Sequence, residues 1–364
     1  EKAFSVSILD ALSKDGVTIL PYDSIYEYVK TFEKDMTVLF CKKKANCRLV
    51  NSIPKEVTIL DEDNLTFLPK SIKNPVEVEN ERIAHIKDGV ALTKYICWLK
   101  KNVGKIPITE LSAGEKLYSF RAQQENFIDN SFDPIISYGI HAAINHYSAT
   151  PETDIAIEPG NFLLADTGGH YYEGTTDTTR TIVMGSVNDE QKKYFTAVLR
   201  GMLNLGNAKF RYGCTGVNLD YLARGPLWEM GQDFNHGTGH GVGYLLNVHE
   251  GPNSFRWRII QGDNAVLEEG MITSDEPGYY VENQYGIRHE NLLVCKKAEK
   301  TTFGQFMCFE HLTMVPFDLD AVVPELMTVQ ERALLNNYHA QVYKKISPYL
   351  EEEEKEWLKE ATRE

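Results

Sequence analysis

The chain has 364 residues, carries a formal net charge of −14, and is 42% hydrophobic and 25% charged. This is globular composition, enough for about two domains at ~150 residues each. It excludes a helical membrane span, because no apolar run approaches the ~18–20 residues required, and it argues against nucleic acid or an anionic membrane surface as the main partner.

Residues 1–70 alternate short apolar and charged segments. Phe4 to Leu12 has helical spacing, and Val17 to Leu20 reads as a strand entering Pro21. Asp23 is placed to cap a helix through Tyr26, Tyr28 and Val29. Thr37–Phe40, Cys47–Val50 and Val57–Leu60 read as strands, which makes a small α/β unit. A boundary is expected between Pro69 and Pro75. Beyond it, Val76 to Val103 reads as one long helix and Thr109 to Gln124 as a second. Strands are expected at Ile135–Ser137, Phe162–Asp166, around Tyr171 and at Thr178–Met184. Asn188–Phe210 and Val217–Met230 read as helices, Met271–Ser274 and Ile287–Cys295 as strands, and Val323 to Glu364 as a helical tail. The six cysteines show no disulfide framework and no Cys-x-x-Cys pair, which reads as reduced thiols and a cytoplasmic setting. The opening Glu1-Lys2-Ala3-Phe4 has neither an initiator Met nor a signal-peptide pattern, as expected of a processed start or a fragment.

Four segments concentrate acids and histidines in Gly-rich surroundings. Leu163-Leu-Ala-Asp166-Thr-Gly-Gly-His170 leads into Thr175-Thr-Asp177-Thr-Thr-Arg-Thr181. Asp166 ends an apolar run, where a carboxylate is costly to bury without a partner or a metal. Two strands of a hairpin would bring Asp177 beside it, and two adjacent carboxylates need a shared proton or a cation. Asn235-His236-Gly-Thr-Gly-His240-Gly-Val-Gly precedes Asn247-Val-His249-Glu-Gly-Pro252, and the glycines permit close backbone approach to a ligand. Thr273-Ser-Asp275-Glu276-Pro-Gly-Tyr-Tyr280, taken alone, reads equally as a turn with polar flanks. In Gly286-Ile-Arg288-His-Glu290-Asn-Leu292, a strand would put Arg288, Glu290 and Leu292 on one face, where Arg288 and Glu290 could form a structural salt bridge.

Taken together, Asp166, Asp177, His240, Glu276 and Glu290 supply four carboxylates and one imidazole. Two divalent cations would balance the carboxylate charge and hold a hydroxide at neutral pH. Oxygen-rich ligation with one nitrogen suits Mn²⁺, with Zn²⁺ or Co²⁺ as substitutes. Spacing alone does not bring the five together.

The five positions in this order, with the words around them, resemble the pita-bread metallopeptidases, and most closely the cytosolic Xaa-Pro aminopeptidase branch. The tail from Phe309-Glu-His-Leu-Thr to Trp357-Leu358 is similar as well. The resemblance covers about residues 72–364. It implies an α+β pita-bread catalytic domain at 72–364, preceded at 1–71 by the end of a creatinase-like domain whose own predecessor is missing. Asp166 and Asp177 would bind one metal. Asp177, His240, Glu276 and Glu290 would bind the other, with Asp177 and Glu290 bridging. His146 matches a substrate-contacting position, His236 and His249 match further active-site histidines, and Tyr280 and Arg288 resemble groups that orient the ligands. The implied substrates are peptides beginning Xaa-Pro, and the implied assembly is a homodimer. Glu276 would carry the proton from the attacking hydroxide to the leaving proline nitrogen, while His249 and His146 would donate to the developing oxyanion. His236 would border the proline pocket. Prolidase is the nearest alternative and needs a group to capture a dipeptide carboxylate. Methionine aminopeptidase lacks this C-terminal tail, and a non-catalytic binding module on the same fold would have lost ligands.

Overall fold

The computed structural model describes residues 4–260 and 262–364, so the first three residues of the expected 1–71 domain lie outside it. The backbone divides into two compact units, Glu1–Pro69 and Lys70–Glu364.

The first unit is built from α1 (Val6–Lys14), α2 (Ile25–Val29), β1 (Thr37–Leu39), α3 (Cys47–Ser52) and β2 (Thr58–Leu60). The two strands run parallel, with Thr37 opposite Thr58, and α3 lies in the crossover that a parallel pair requires. Its core is small: Val29, Ile53 and Val57, with Val38, Leu49 and Ile59 packed against them. The segment Cys47–Val50 is helical rather than extended, because the Asn46 side chain accepts from Leu49 N–H at 2.8 Å and caps it. Val17–Leu20 forms no strand. Asp23 lies in a 3₁₀ turn, Tyr22–Ser24, and caps nothing. The helix α4 (Phe67–Ser71) spans the division.

The second unit opens with α5 (Pro75–Asn102), begun by a capping box between Asn74 and Glu77 with Pro75 at its first turn. Next come α6 (Glu110–Arg121), β3 (Phe127–Asn130), β4 (Ile135–Tyr138), β5 (Asn161–Thr167), β6 (Gly169–Tyr171), β7 (Gly174–Thr175) and β8 (Thr178–Met184). Strands β4, β5 and β8 form one antiparallel sheet, and β3, β6 and β7 form another. Helix α7 (Asp189–Gly206) follows, then β9 (Lys209–Arg211), α8 (Tyr221–Trp228), β10 (Gly239–His240) and β11 (Ser254–Phe255). The chain continues through β12 (Ile272–Asp275), β13 (Gly278–Val281), β14 (Tyr285–Arg288), β15 (Asn291–Thr301) and β16 (Gly304–His311) to α9 (Val329–Ile346) and α10 (Glu352–Ala361). A four-stranded antiparallel sheet runs β12–β15–β16–β9.

Every residue of β8 is buried, so helices and loops cover both of its faces. The largest core cluster joins Phe195, Val198 and Met202 of α7 to Phe162 of β5, Ile287 of β14 and Val342 of α9. Each such fully buried side chain contributes roughly 1.5–3 kcal/mol over leaving it exposed.

Four expected elements differ in extent. The helix from Asn188 stops at Gly206, and Phe210 lies on β9. The region 217–230 begins as a 3₁₀ turn, Gly216–Asn218, before α8. The strand expected over Ile287–Cys295 is two strands, broken at His289 and Glu290. The tail divides into α9 and α10 around a 3₁₀ turn, Ser347–Tyr349, that contains Pro348. No helix among the described residues is long and apolar enough to cross a membrane.

Candidate metal centre

Two strand pairs deliver the acids. In the β5/β8 pair, Thr167 faces Thr178, so Asp166 and Asp177 meet where the pair opens. In the β12/β15 pair, Asp275 faces Asn291, and Glu276 and Glu290 emerge from the same end. Backbone bonds then tie the pairs to each other and to β10. Glu290 N–H donates to Thr179 O at 3.1 Å, and Glu276 N–H donates to Thr238 O at 2.8 Å. The second contact needs a glycine, because a Cβ on Gly239 would stand 1.8 Å from Ser274 O.

The ligand atoms of Asp166, Asp177 and Glu290 lie within 4.8 Å of one another, as do those of His240, Glu276 and Glu290. His240 donates through Nδ1 to Gly241 O at 3.0 Å, which turns Nε2 toward Asp177 Oδ2 and Glu276 Oε1, each 3.5 Å away. Thr179 Oγ1 donates to Glu290 Oε2 at 2.7 Å and Ser274 Oγ to Glu276 Oε1 at 3.0 Å, which fixes both carboxylates. Burial first, and then the neighbouring acids, raise the pKa of Asp177, Glu276 and Glu290. Burial opposes charge on His240, yet the hydrogen bond to Asp177 and the Glu276 carboxylate prevail and raise it to about 9. Four crowded acids with one imidazole demand positive charge, and a donor set rich in oxygen with no thiolate fits two hard or borderline divalent cations.

A second network runs along the cavity wall. Arg288 does not pair with Glu290. Its Nη2 donates to Asp166 Oδ2 at 2.5 Å and its Nη1 to Tyr280 Oη at 2.7 Å. The break after β14 is the reason: Glu290 sits in the link between strands and does not share a strand face with Arg288. Because Tyr280 Oη accepts from Arg288, its own proton goes to His236 Nε2, 2.9 Å away. His236 donates through Nδ1 to Gly237 O at 2.7 Å. Burial, then the Arg288 charge, lower His236 to about 3, so it is a neutral imidazole with both nitrogens engaged.

Of the site residues expected from the sequence, all except Tyr280 line one cavity of about 260 Å³. His146 and His249 are exposed at it, and the His249 ring stands edge-on to His240 with centroids 4.2 Å apart. Tyr280 reaches the site through Arg288 and His236. Phe132, Ile135, Asn145 and Arg256 complete the lining. Sequence reasoning gave none of these four a role. Ile135 reads only as the start of a strand, and Arg256 lies in Phe-Arg-Trp-Arg with no spacing signal; the one hint is a basic pair in an acidic chain. Arg256 Nε is held by Asp263.

Residues 79–297 match metallopeptidase family M24, residues 305–364 the C-terminal region of peptidase M24, and residues 1–77 the creatinase/prolidase N-terminal domain. A protein of Arthroderma otae named probable Xaa-Pro aminopeptidase P is 40% identical over 362 residues, covering 95% of this chain and 58% of its own. Its namesake in Paracoccidioides brasiliensis is 38% identical over 367 residues, covering 96% of this chain and 59% of its own. This chain therefore spans less than two thirds of those relatives. The crystal structure of the X-prolyl aminopeptidase of Caenorhabditis elegans, described as a cytosolic enzyme with a di-nuclear active site, superposes with a TM-score of 0.91. It is 33% identical, over 99% of this chain and 60% of that one. The prolidase of Pyrococcus furiosus superposes with a TM-score of 0.63 at 26% identity, over 82% of this chain and 80% of that one.

Proposed function

This chain belongs to metallopeptidase family M24, and on that premise we propose that it removes the first residue from peptides whose second residue is proline. The observation that carries the proposal is the convergence of Asp166, Asp177, His240, Glu276 and Glu290 on one cavity. Two divalent cations, manganese first and zinc or cobalt as substitutes, would supply a Lewis acid and a water acidified toward neutrality. Asp166 and Asp177 would hold one, and His240 and Glu276 the other, with Asp177 and Glu290 shared.

The chain's own residues do the rest. Glu276, steadied by Ser274, takes the proton of the attacking water and returns it to the leaving nitrogen. His249 and His146, at the exposed side, donate to the oxygen that becomes negative. Arg288 engages one oxygen of Asp166 and leaves the other for a cation. The nitrogens of His236 are both committed, so its ring offers the substrate no polar contact. That suits a proline, whose tertiary amide has no N–H to satisfy. A homodimer and the cytosolic placement of the nematode relative belong to the same proposal.

One observation favours a second reading. Arg256 lines the cavity, and a guanidinium there would take the carboxylate of an Xaa-Pro dipeptide, as a prolidase requires. The test is hydrolysis of Arg-Pro-Pro and Gly-Pro by metal-stripped protein with and without Mn²⁺. Metal-dependent cleavage of the tripeptide supports the aminopeptidase. Cleavage of the dipeptide alone moves the assignment to prolidase. Cleavage of neither, with two metals bound, means either that activity needs the further region its longer relatives have or that the chain is a binding module.

A further inference from the structure

His146 lines the cavity, yet among the described residues it makes no hydrogen bond of its own. Its ring is placed only by the backbone that carries it, so whatever fixes that backbone fixes the ring. The segment is irregular: a 3₁₀ turn, Gly139–Ala143, then Ile144, Asn145, His146 and Tyr147. It is gripped from two sides.

On one side is Glu110, the first residue of α6, whose side chain is fully buried. Its carboxylate collects donors from both ends of the segment. Tyr138 N–H reaches Oε1 at 2.7 Å, His141 Nδ1–H reaches Oε2 at 2.9 Å, and Tyr147 Oη–H reaches Oε2 at 3.1 Å. The hydroxyl of Tyr147 also lies 3.1 Å from Thr153 Oγ1 and 3.2 Å from Thr153 O, but the carboxylate is the strongest acceptor of the three and takes its proton. The rings of His141 and Tyr147 stack with centroids 4.2 Å apart. Glu110 also lies at a helix N-terminus, where the backbone dipole favours a negative charge. On the other side, Gly286 of β14 admits the turn: a Cβ there would stand 1.8 Å from Ala142 O. Gly286 is two residues from Arg288, so the segment rests against the strand that steadies Asp166.

We propose that Glu110, which does not line the cavity, is a positioning residue that sets where His146 meets the substrate. This rests on the reading of His146 as a substrate contact. Replacing Glu110 by Gln exchanges one of its two accepting oxygens for an NH₂ donor, so the three donors can no longer all be satisfied and the segment loses part of its common anchor.

The experiment is a double-mutant cycle on the manganese-loaded chain with Arg-Pro-Pro: Glu110→Gln, His146→Ala and both together. Glu110→Gln is expected to lower kcat about 10-fold with KM little changed, since the lost contact acts in the transition state. The double variant should match His146→Ala, because a mispositioned histidine that is already absent costs nothing more. Losses that multiply, or a Glu110→Gln variant with parental kcat, overturn the proposal. Should Glu110→Gln fail to fold, Tyr147→Phe takes its place in the cycle under the same criterion. A readout without catalysis separates this inference from the reading beneath it. In histidine-ring NMR spectra of the zinc-loaded chain, the His146 signals should shift in Glu110→Gln while those of His240 stay. Unmoved His146 signals reject the positioning role whether or not the chain cleaves peptides.

Discussion

The two strand pairs that build the centre follow one plan. In each, a strand ends in an acid, a small hairpin is inserted, and a second acid leads into the returning strand. The first pair gives Asp166, the β6–β7 hairpin and Asp177. The second gives Glu276, the β13–β14 hairpin and Glu290. The inserts serve different ends. The first is bolted to α5: Tyr171 Oη donates to Asp88 at 3.0 Å and Thr175 N–H to Glu81 at 3.2 Å. Lys87 pairs with Glu173 in its turn at 2.8 Å, and Arg121 is spent on Asp88 and on Thr167 Oγ1. The second insert sends Arg288 into the cavity, where it reaches across to an acid of the first pair. One plan thus yields an anchor in one half and an electrostatic adjuster in the other.

The sharpest way to break this comparison is to remove one shared acid from each half. Asp177→Asn and Glu290→Gln should each release cation and lower kcat/KM on Arg-Pro-Pro on the order of 1000-fold, about 4 kcal/mol. Metal analysis beside the kinetics checks it, and a large loss from only one half would mean that the halves are not equivalent at the centre. Next comes the anchor. Arg121→Met strands the buried carboxylate of Asp88, for which about 3–5 kcal/mol of stability should be lost while the folded fraction keeps its kcat. Urea unfolding measures it. Arg288→Lys should do the reverse: activity about 10–100-fold lower with an almost unchanged melting temperature, because lysine cannot span Tyr280 and Asp166 as a fork. If both substitutions acted mainly on stability, the distinction between anchor and adjuster would be lost.

The smallest effect concerns how α5 holds the second half. There it uses a base: Arg82 donates from Nε and Nη2 to the two oxygens of Glu310 on β16, at 2.7 and 2.9 Å. Burial disfavours the Glu310 carboxylate, but Arg82 and Lys296 outweigh it and hold the group at about 2. A carboxyl depressed on folding stabilises the native state above its unfolded value of about 4.3 and loses that contribution as pH falls toward about 2. The unfolding free energy should therefore fall over that window by about 1–2 kcal/mol from this group, and Glu310→Gln should remove that part of the dependence.

The sequence was most legible where chemistry and local structure coincide. Asp166, Asp177 and Glu290 stand beside apolar strand segments, and His240 stands among glycines, so each announced itself locally. The long helix α5 was legible from its apolar residues between Val78 and Leu99, and the capping box of Asn74 and Glu77 fixes its start. Short elements were not. Cys47–Val50 looks extended by composition, but a single cap at Asn46 makes it helical, and Gly206 ends α7 before the apolar run does. The strands β3 and β16 went unassigned because their burial pattern does not alternate cleanly. Glu110 and Thr179 act through partners distant in sequence and Arg256 lies in the cavity wall, and no local pattern marks such a residue.

The bond from Glu290 N–H to Thr179 O has a kinetic consequence. It joins strands more than a hundred residues apart, and the acids on either side come together only when it forms. Closing so long a loop costs entropy before any contact repays it, so non-local pairing of this kind forms slowly. The centre should then be among the last parts of the chain to assemble, after α5 has gathered the first pair and α7 the second. A cation present from the start of refolding would find no site to bind, and would leave the folding rate unchanged while slowing unfolding.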